Sequence, residues 1–199
     1  MTRRLIAGLT RLATGVRRLT APPQGESPAV YYANHGSHLD FVVIWAALPT
    51  AAREQTSPAA AEDYWGRSAL RRRIACGLFQ SVLIPREGIT RDNNPLDRLG
   101  EVLECGRSLI LFPEGTRRSD GQVGEFKAGL YHLAKRFPGL PLVPVHLENL
   151  NRILPKGTLL PVPLIAQAHF RAPIRLQDGE AKTDFLRRAR AALLDEPVA

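Results

Sequence analysis

A chain of 199 residues organises one ordinary domain with at most a short appendage, because single hydrophobic cores typically hold roughly 100 to 200 residues; two independent catalytic domains are excluded. Hydrophobic residues make up 44% and charged residues 23%, which excludes global disorder. Lys and Arg number 27 against 19 Asp and Glu, a net charge of +8 with a pI near 10.2, which points to an anionic partner: nucleic acid, anionic lipid, phosphorylated metabolite or acidic carrier protein.

In chain order, residues 3–19 place Leu5, Leu9, Leu12, Val16 and Leu19 at helical spacing, one apolar stripe. Arg3, Arg4, Arg11, Arg17 and Arg18 add positive charge with no acidic residue among them. Residues 1–20 are therefore expected to form an amphipathic basic helix. It suits the surface of an anionic membrane, with the stripe at the acyl boundary and the arginines on phosphates, or docking on the domain's own core. The segment 21–28, A-P-P-Q-G-E-S-P, reads as a linker, and 29–199 as the main domain. Arg11 interrupts what would be the apolar core of a signal peptide. The longest apolar runs, 41–49 and 159–166, fall well short of the roughly 20 residues of a membrane span.

From residue 29 onward, short apolar runs alternate with longer mixed segments. Residues 29–33, 81–84, 108–112, 140–147 and 165–170 read as strands, and 39–48, 67–78, 95–105, 126–137 and 182–194 as helices. That alternation predicts an α/β fold with a mostly parallel or mixed central sheet covered by helices. Prolines 141, 144, 161 and 163 predict that the C-terminal strands are edges or irregular. Cys76 and Cys105 have no metal-type spacing and form no disulfide framework. Four of the cations are lysines (Lys127, Lys135, Lys156, Lys182), so 23 are arginines. A guanidinium fork suits phosphate, yet a GC-rich genome gives the same excess, so each arginine is argued by position.

Three strand ends carry chemistry. Residues 31–40, Y-Y-A-N-H-G-S-H-L-D, run from a strand through a polar turn into an apolar helix. His35 is a candidate general base, with Asp40 to fix its tautomer and stabilise its protonated form. Five residues along one helix lie about 140° apart. The pair therefore works only with His35 in the turn before the helix and Asp40 in its first turn, Gly36 and Ser37 forming the tight bend. His38 makes a His-x-x-His pair, but no third ligand stands at recognisable spacing, so no metal is expected. Residues 108–118, S-L-I-L-F-P-E-G-T-R-R, again run from strand to polar turn: Pro113 stops the ladder, Gly115 permits an unusual backbone, and Arg117 offers a fork to a phosphate. Residues 82–87 are a third strand ending in Arg86. Brought to one sheet edge, these groups would grip a phosphate and deprotonate something attached to it.

These residues resemble the glycerolipid acyltransferases, best known as 1-acyl-sn-glycerol-3-phosphate acyltransferases. N-H-G-S-H-L-D is similar to the family's N-H-x-S-x-x-D form of the H-x4-D motif, and F-P-E-G-T-R-R-S to its F-P-E-G-T-R-S motif; the two together are highly specific. I-P-R looks like the second motif and L-V-P-V-H like the fourth, and all four stand in family order within 29–170. The resemblance implies that His35, oriented by Asp40, takes the proton from a lysophospholipid hydroxyl, which attacks the thioester of acyl-CoA or acyl carrier protein. It also implies that Glu114, Gly115, Thr116, Arg117 and Arg86 serve the glycerol phosphate, that the product is phosphatidic acid, and that no cofactor is needed beyond the acyl donor. The expected location is cytoplasmic, peripheral on the inner face of the cell membrane. Pro85 stands where many members carry an aspartate. Other readings are transfer to another lysolipid, such as a lyso-ornithine lipid, or thioester hydrolysis. A non-catalytic membrane or nucleic-acid binder is a third; no recognisable nucleic-acid module is present. Arg71, Arg72 and Arg73 form a solvated helix face or receive CoA phosphates or an acidic carrier. Phe41, Trp45 and Trp65 line an acyl groove or fill the core.

Overall fold

The computed structural model describes residues 2–14, 17–18, 28–37, 40–90, 92–118, 122–148 and 167–195. Seven strands form one sheet: β1 (Arg17–Arg18), β2 (Val30–Ala33), β3 (Thr56–Ala61), β4 (Val82–Ile84), β5 (Ser108–Leu111), β6 (Leu142–Glu148) and β7 (Gln167–Phe170). Their order is β1-β7-β6-β2-β5-β3-β4. Every pairing is parallel except β6 with β7. The expected α/β class with a mixed, mostly parallel sheet is what forms.

The apolar runs at β2 and β5 are buried at every position because helices cover both faces of these central strands. On one face lie α1 (Thr2–Thr14) and α2 (Asp40–Ala47), followed by α3 (Thr50–Glu54). There Tyr31, Ala33, Ile110, Val143 and Val145 meet Val43, Ile44, Trp45 and Leu48. On the other face lie α6 (Pro95–Glu104), α7 (Gly129–Arg136) and α8 (Lys182–Leu194), where Val30, Tyr32, Leu109 and Leu142 meet Leu99, Leu103, Leu133 and Phe185. Each such apolar side chain contributes roughly 1.5–3 kcal/mol by leaving water. The Tyr32 hydroxyl donates to the Ala189 carbonyl at 2.9 Å, tying β2 to α8, and burial raises its pKa so that it stays a neutral donor. Between β3 and β4, α4 (Glu62–Trp65) is followed by α5 (Ala69–Arg72), which Ser68 caps through the Arg71 N–H and which continues as a π-helical stretch, Arg73–Leu78.

Three expectations are corrected. The N-terminal helix spans Thr2–Thr14 rather than reaching residue 19, and Arg17–Arg18 instead pair with Gln167–Ala168 in the sheet. Val16, Leu19 and most of the predicted linker lie outside the described residues. Leu5, Leu9 and Leu12 do share one face, but it points away from the protein, being 64, 54 and 82% exposed. The helix docks on α2 through Ala7, half-buried Ile6 and the Arg11 guanidinium, whose Nε donates to the Ala46 carbonyl at 2.7 Å. Second, β6 is central, not an edge, despite Pro144. The regular ladder with β7 runs to the Val145–Phe170 pair, the Arg171 N–H then donates to the Pro144 carbonyl at 2.9 Å, and an antiparallel bridge follows at Leu142–Ile174, so the missing N–H falls in an irregular stretch between the two. Prolines 161 and 163 lie outside the described residues. Third, β3, T-S-P-A-A-A, was not among the expected strands; it has little β-branched character, and its pairing between β4 and β5 overrides local propensity.

Candidate active site

The parallel strands β2, β5, β3 and β4 all end on one edge of the sheet, outside which ligands bind in open α/β sheets. His35 lies two residues beyond β2, and Asp40 is the first residue of α2. The five-residue demand is met: His35 Nδ1–H donates to Asp40 Oδ2 at 2.8 Å. The same oxygen accepts the Gly36 N–H at 2.8 Å and the Ser37 N–H at 2.9 Å, so the carboxylate folds the bend and aims the imidazole together. Asp40 is 1% exposed and His35 half-buried. With the proton on Nδ1, Nε2 is the acceptor of the ring. His38 lies outside the described residues, and no metal-type cluster of His, Cys, Asp or Glu stands among those described.

The ring is held on its other sides too. It stacks on Phe112, centroids 4.2 Å apart. The His35 N–H donates to Glu114 Oε1 at 2.8 Å, and the Arg118 N–H donates to the His35 carbonyl at 2.9 Å. Asn34 pairs through both side-chain atoms with the backbone of Leu147, fixing the end of β2 against β6. Glu114 is buried, and its second oxygen accepts the Gly124 N–H at 2.9 Å. Its two oxygens thus bind backbone amides of two loops. This placement makes Glu114 a staple of the site; a bare carboxylate would repel a phosphate. Gly115 has φ +72°, a conformation that favours glycine; a Cβ there would meet only the far end of the flexible Lys127 side chain, at 2.8 Å.

His35, Phe112, Arg86 and Arg117 line one cleft, together with Asp63, Tyr64, Trp65 and Arg67. Its volume is about 140 Å³, against roughly 300–1,000 Å³ for sites that enclose whole small-molecule ligands. Thr116 is exposed beside Arg117 at the turn. Arg86 does not stand free: its Nε donates to Asp63 Oδ1 at 3.0 Å and its NH2 to Oδ2. Register explains this pair, since Ala61 of β3 stands opposite Ile84 of β4 and each side chain lies two residues further on. The Arg86 guanidinium holds the Asp63 carboxyl below the usual carboxylate range. Asp63, Tyr64 and Arg67 were not foreseen, because they follow the strand that sequence periodicity did not reveal. Of the aromatic candidates Trp45 is core, 0% exposed, whereas Phe41 and Trp65 meet edge to face at the cleft wall.

At the strand ends a carboxylate-held histidine shares one cleft with two arginines, and comparison with known proteins makes the class definite. The sequence model of the Acyltransferase family matches residues 11–148, and the chain belongs to that family. Its similar relatives carry more particular names. It is 28% identical over 149 residues to the chloroplastic 1-acyl-sn-glycerol-3-phosphate acyltransferase BAT2 of Brassica napus, covering 73% of this chain and 40% of that one. It is 30% identical over 161 residues to the 1-acyl-sn-glycerol-3-phosphate acyltransferase of Cocos nucifera, covering 76% and 47%. It is 31% identical over 132 residues to the human 1-acyl-sn-glycerol-3-phosphate acyltransferase alpha, covering 64% and 42%. The chain thus spans under half the length of these relatives. The crystal structure of the 1-acyl-sn-glycerophosphate acyltransferase PlsC from Thermotoga maritima has the same fold, with a TM-score of 0.77 at 20% identity, covering 98% of this chain and 76% of that one.

Proposed function

We propose that the protein transfers an acyl chain from acyl-CoA or acyl carrier protein to the free hydroxyl of 1-acyl-glycerol-3-phosphate, giving phosphatidic acid. The observation that supports it is the His35–Asp40 pair opening into the same cleft as Arg86 and Arg117. His35 Nε2 takes the proton of the acceptor hydroxyl as its oxygen attacks the thioester carbonyl. The tetrahedral intermediate collapses by breaking the C–S bond, and the imidazolium returns its proton to the departing thiolate. Asp40 stabilises the imidazolium and holds the ring. Arg86 and Arg117 hold the acceptor phosphate with charge-assisted hydrogen bonds, and the Gly115–Thr116 turn shapes its seat. No acyl-enzyme and no cofactor enter this scheme.

The exposed leucines of α1 lie on an anionic membrane, at the inner face of the cell membrane, with Arg4 on lipid phosphates. Among the described residues no helix is long and apolar enough to cross a bilayer. The deciding assay supplies lysophosphatidic acid with acyl-CoA or acyl carrier protein to the wild type and to His35→Ala, measuring phosphatidic acid and free fatty acid together. Diacyl product from the wild type alone is expected. Fatty acid without diacyl product would mean hydrolysis, and no product from folded protein would point to another lysolipid acceptor. Flotation with vesicles, comparing the wild type with Leu5, Leu9 and Leu12 changed to Ser, tests the α1 assignment.

A further inference from the structure

Six large apolar side chains are exposed among the described residues: Leu5, Leu9, Leu12, Leu70, Ile74 and Ile89. None belongs to α6, α7 or α8. Leu70 and Ile74 are independent of α1: they sit four residues apart on α5 and its π-helical extension, on one face, 68% and 37% exposed. Between them Arg71, Arg72 and Arg73 are all exposed. Arg71 lies over the Tyr64 ring at 4.6 Å, and neither Arg72 nor Arg73 meets an acidic side chain among the described residues.

The opposite side of this helix is anchored. Ala75 is buried with Ala60 and Leu83, and Phe79, just past the helix, packs edge to face on Phe41 and on Trp45, each at 5.1 Å. The helix therefore belongs to the layer of α2, on which α1 also docks. It begins beside Arg67, a residue of the cleft, and its ten residues extend about 15 Å at ~1.5 Å each. Leu70 stands three residues beyond Arg67, so a surface that touches Leu70 passes close to that wall of the cleft.

We propose that α5 and its π-helical extension form a second contact with an anionic bilayer, one that holds the cleft at the headgroup plane. Leu70 and Ile74 enter the acyl boundary while Arg72 and Arg73 meet lipid phosphates. The inference rests on the reading of the acceptor as a lysophospholipid: a cleft of about 140 Å³ has no room for its acyl chain, which stays in the bilayer. An acidic carrier protein would satisfy the arginines. The bilayer also accounts for the two apolar side chains between them and for the leucines of α1 in the same layer, because it presents phosphate and hydrocarbon over one extended surface.

The test uses the full chain with phosphatidylcholine vesicles, with and without phosphatidylglycerol, and the variants Leu70→Glu/Ile74→Glu and Arg72→Glu/Arg73→Glu. Turnover is followed with a short-chain lysophosphatidate dissolved as monomers and with a long-chain one carried in vesicles. Both variants are expected to sediment with anionic vesicles roughly tenfold less, to keep wild-type turnover of the monomeric acceptor and to lose it on the vesicle-borne one. Unchanged vesicle binding in both variants overturns the surface. So does a loss confined to turnover with acyl carrier protein as donor, which assigns the helix to the carrier. If the wild type itself fails on the monomeric acceptor, the proposed reaction falls, while vesicle sedimentation still judges the surface. Should the glutamates unfold the helix, Leu70→Ser alone carries the same test at a side chain that is 68% exposed.

Discussion

The two faces of the sheet bury comparable apolar clusters and then meet water in opposite ways. On the side of α6, α7 and α8, three arginines are matched with acids, Arg136 with Asp97 and Glu104, Arg188 with Glu180 and Arg187 with Asp184, and Arg190 donates to the Val123 carbonyl. On the side of α1, α2 and α5, Arg4, Arg72 and Arg73 have no acidic partner among the described residues, and leucines and an isoleucine lie open beside them. The exposed large apolar side chains are therefore not spread evenly: none belongs to α6, α7 or α8. One face closes its surface largely with ion pairs, and the other leaves apolar side chains open beside unmatched arginines.

That contrast can be broken by comparing substitutions on either side. The largest effect belongs to His35→Ala, which is expected to lower turnover by about 10²- to 10⁴-fold, the usual worth of a placed general base, while the thermal midpoint stays near that of the wild type. On the opposite face Phe185→Ala should do the reverse: Phe185 is 0% exposed, and its loss should cost about 3–5 kcal/mol in denaturant unfolding with kcat per folded molecule unchanged. Arg117→Gln should raise KM for lysophosphatidate about tenfold or more through loss of a charge-assisted contact, leaving kcat close to normal; an equal fall in kcat would deny Arg117 a seat on the acceptor phosphate. Glu114→Gln turns an amide N–H toward one of two backbone donors. It should lower stability by about 1–3 kcal/mol and kcat through a loosened His35, with KM little changed.

The smallest effect sharpens the picture of the matched face. Arg188 forks onto both oxygens of Glu180 at 2.7 and 2.6 Å, which holds the Glu180 carboxyl below its ordinary value of 4.5. A depressed carboxylate contributes stability above its unfolded-state value and loses it as pH falls through the folded one. The midpoint difference between wild type and Glu180→Gln should therefore be present at neutral pH and close as the pH drops below 4.5 and through the folded value. A difference that persists at acid pH would trace it to packing rather than charge.

Much of the plan was legible because its signals are local. The apolar runs of β2 and β5, the helix Lys182–Leu194, and the His35 to Asp40 spacing all depend on neighbours a few residues apart. What sequence did not disclose is set by distant pairing. β3 is made by its place between β4 and β5, and the Asp63–Arg86 pair by the register of those strands. Which way the α1 leucines point was likewise undetermined. The helix docks through Ala7 and an arginine bound to α2 carbonyls, a contact made 35 residues away that no periodicity reports.

Glu114 has a further consequence in the order of assembly. His35 and Glu114 are 79 residues apart, and Asn34 and Leu147 are 113 apart, so the histidine loop acquires its fixed shape only once β5 and β6 have closed on β2. Closing such long intervals is entropically the slow part of folding. A nascent chain that has made only the strand, the bend and α2 holds the whole reactive pair in its sequence yet lacks the amide-bound carboxylate that steadies it. On the proposed role of His35, competence for chemistry waits for the complete sheet, and local opening at Glu114 would remove it before the two cores let go.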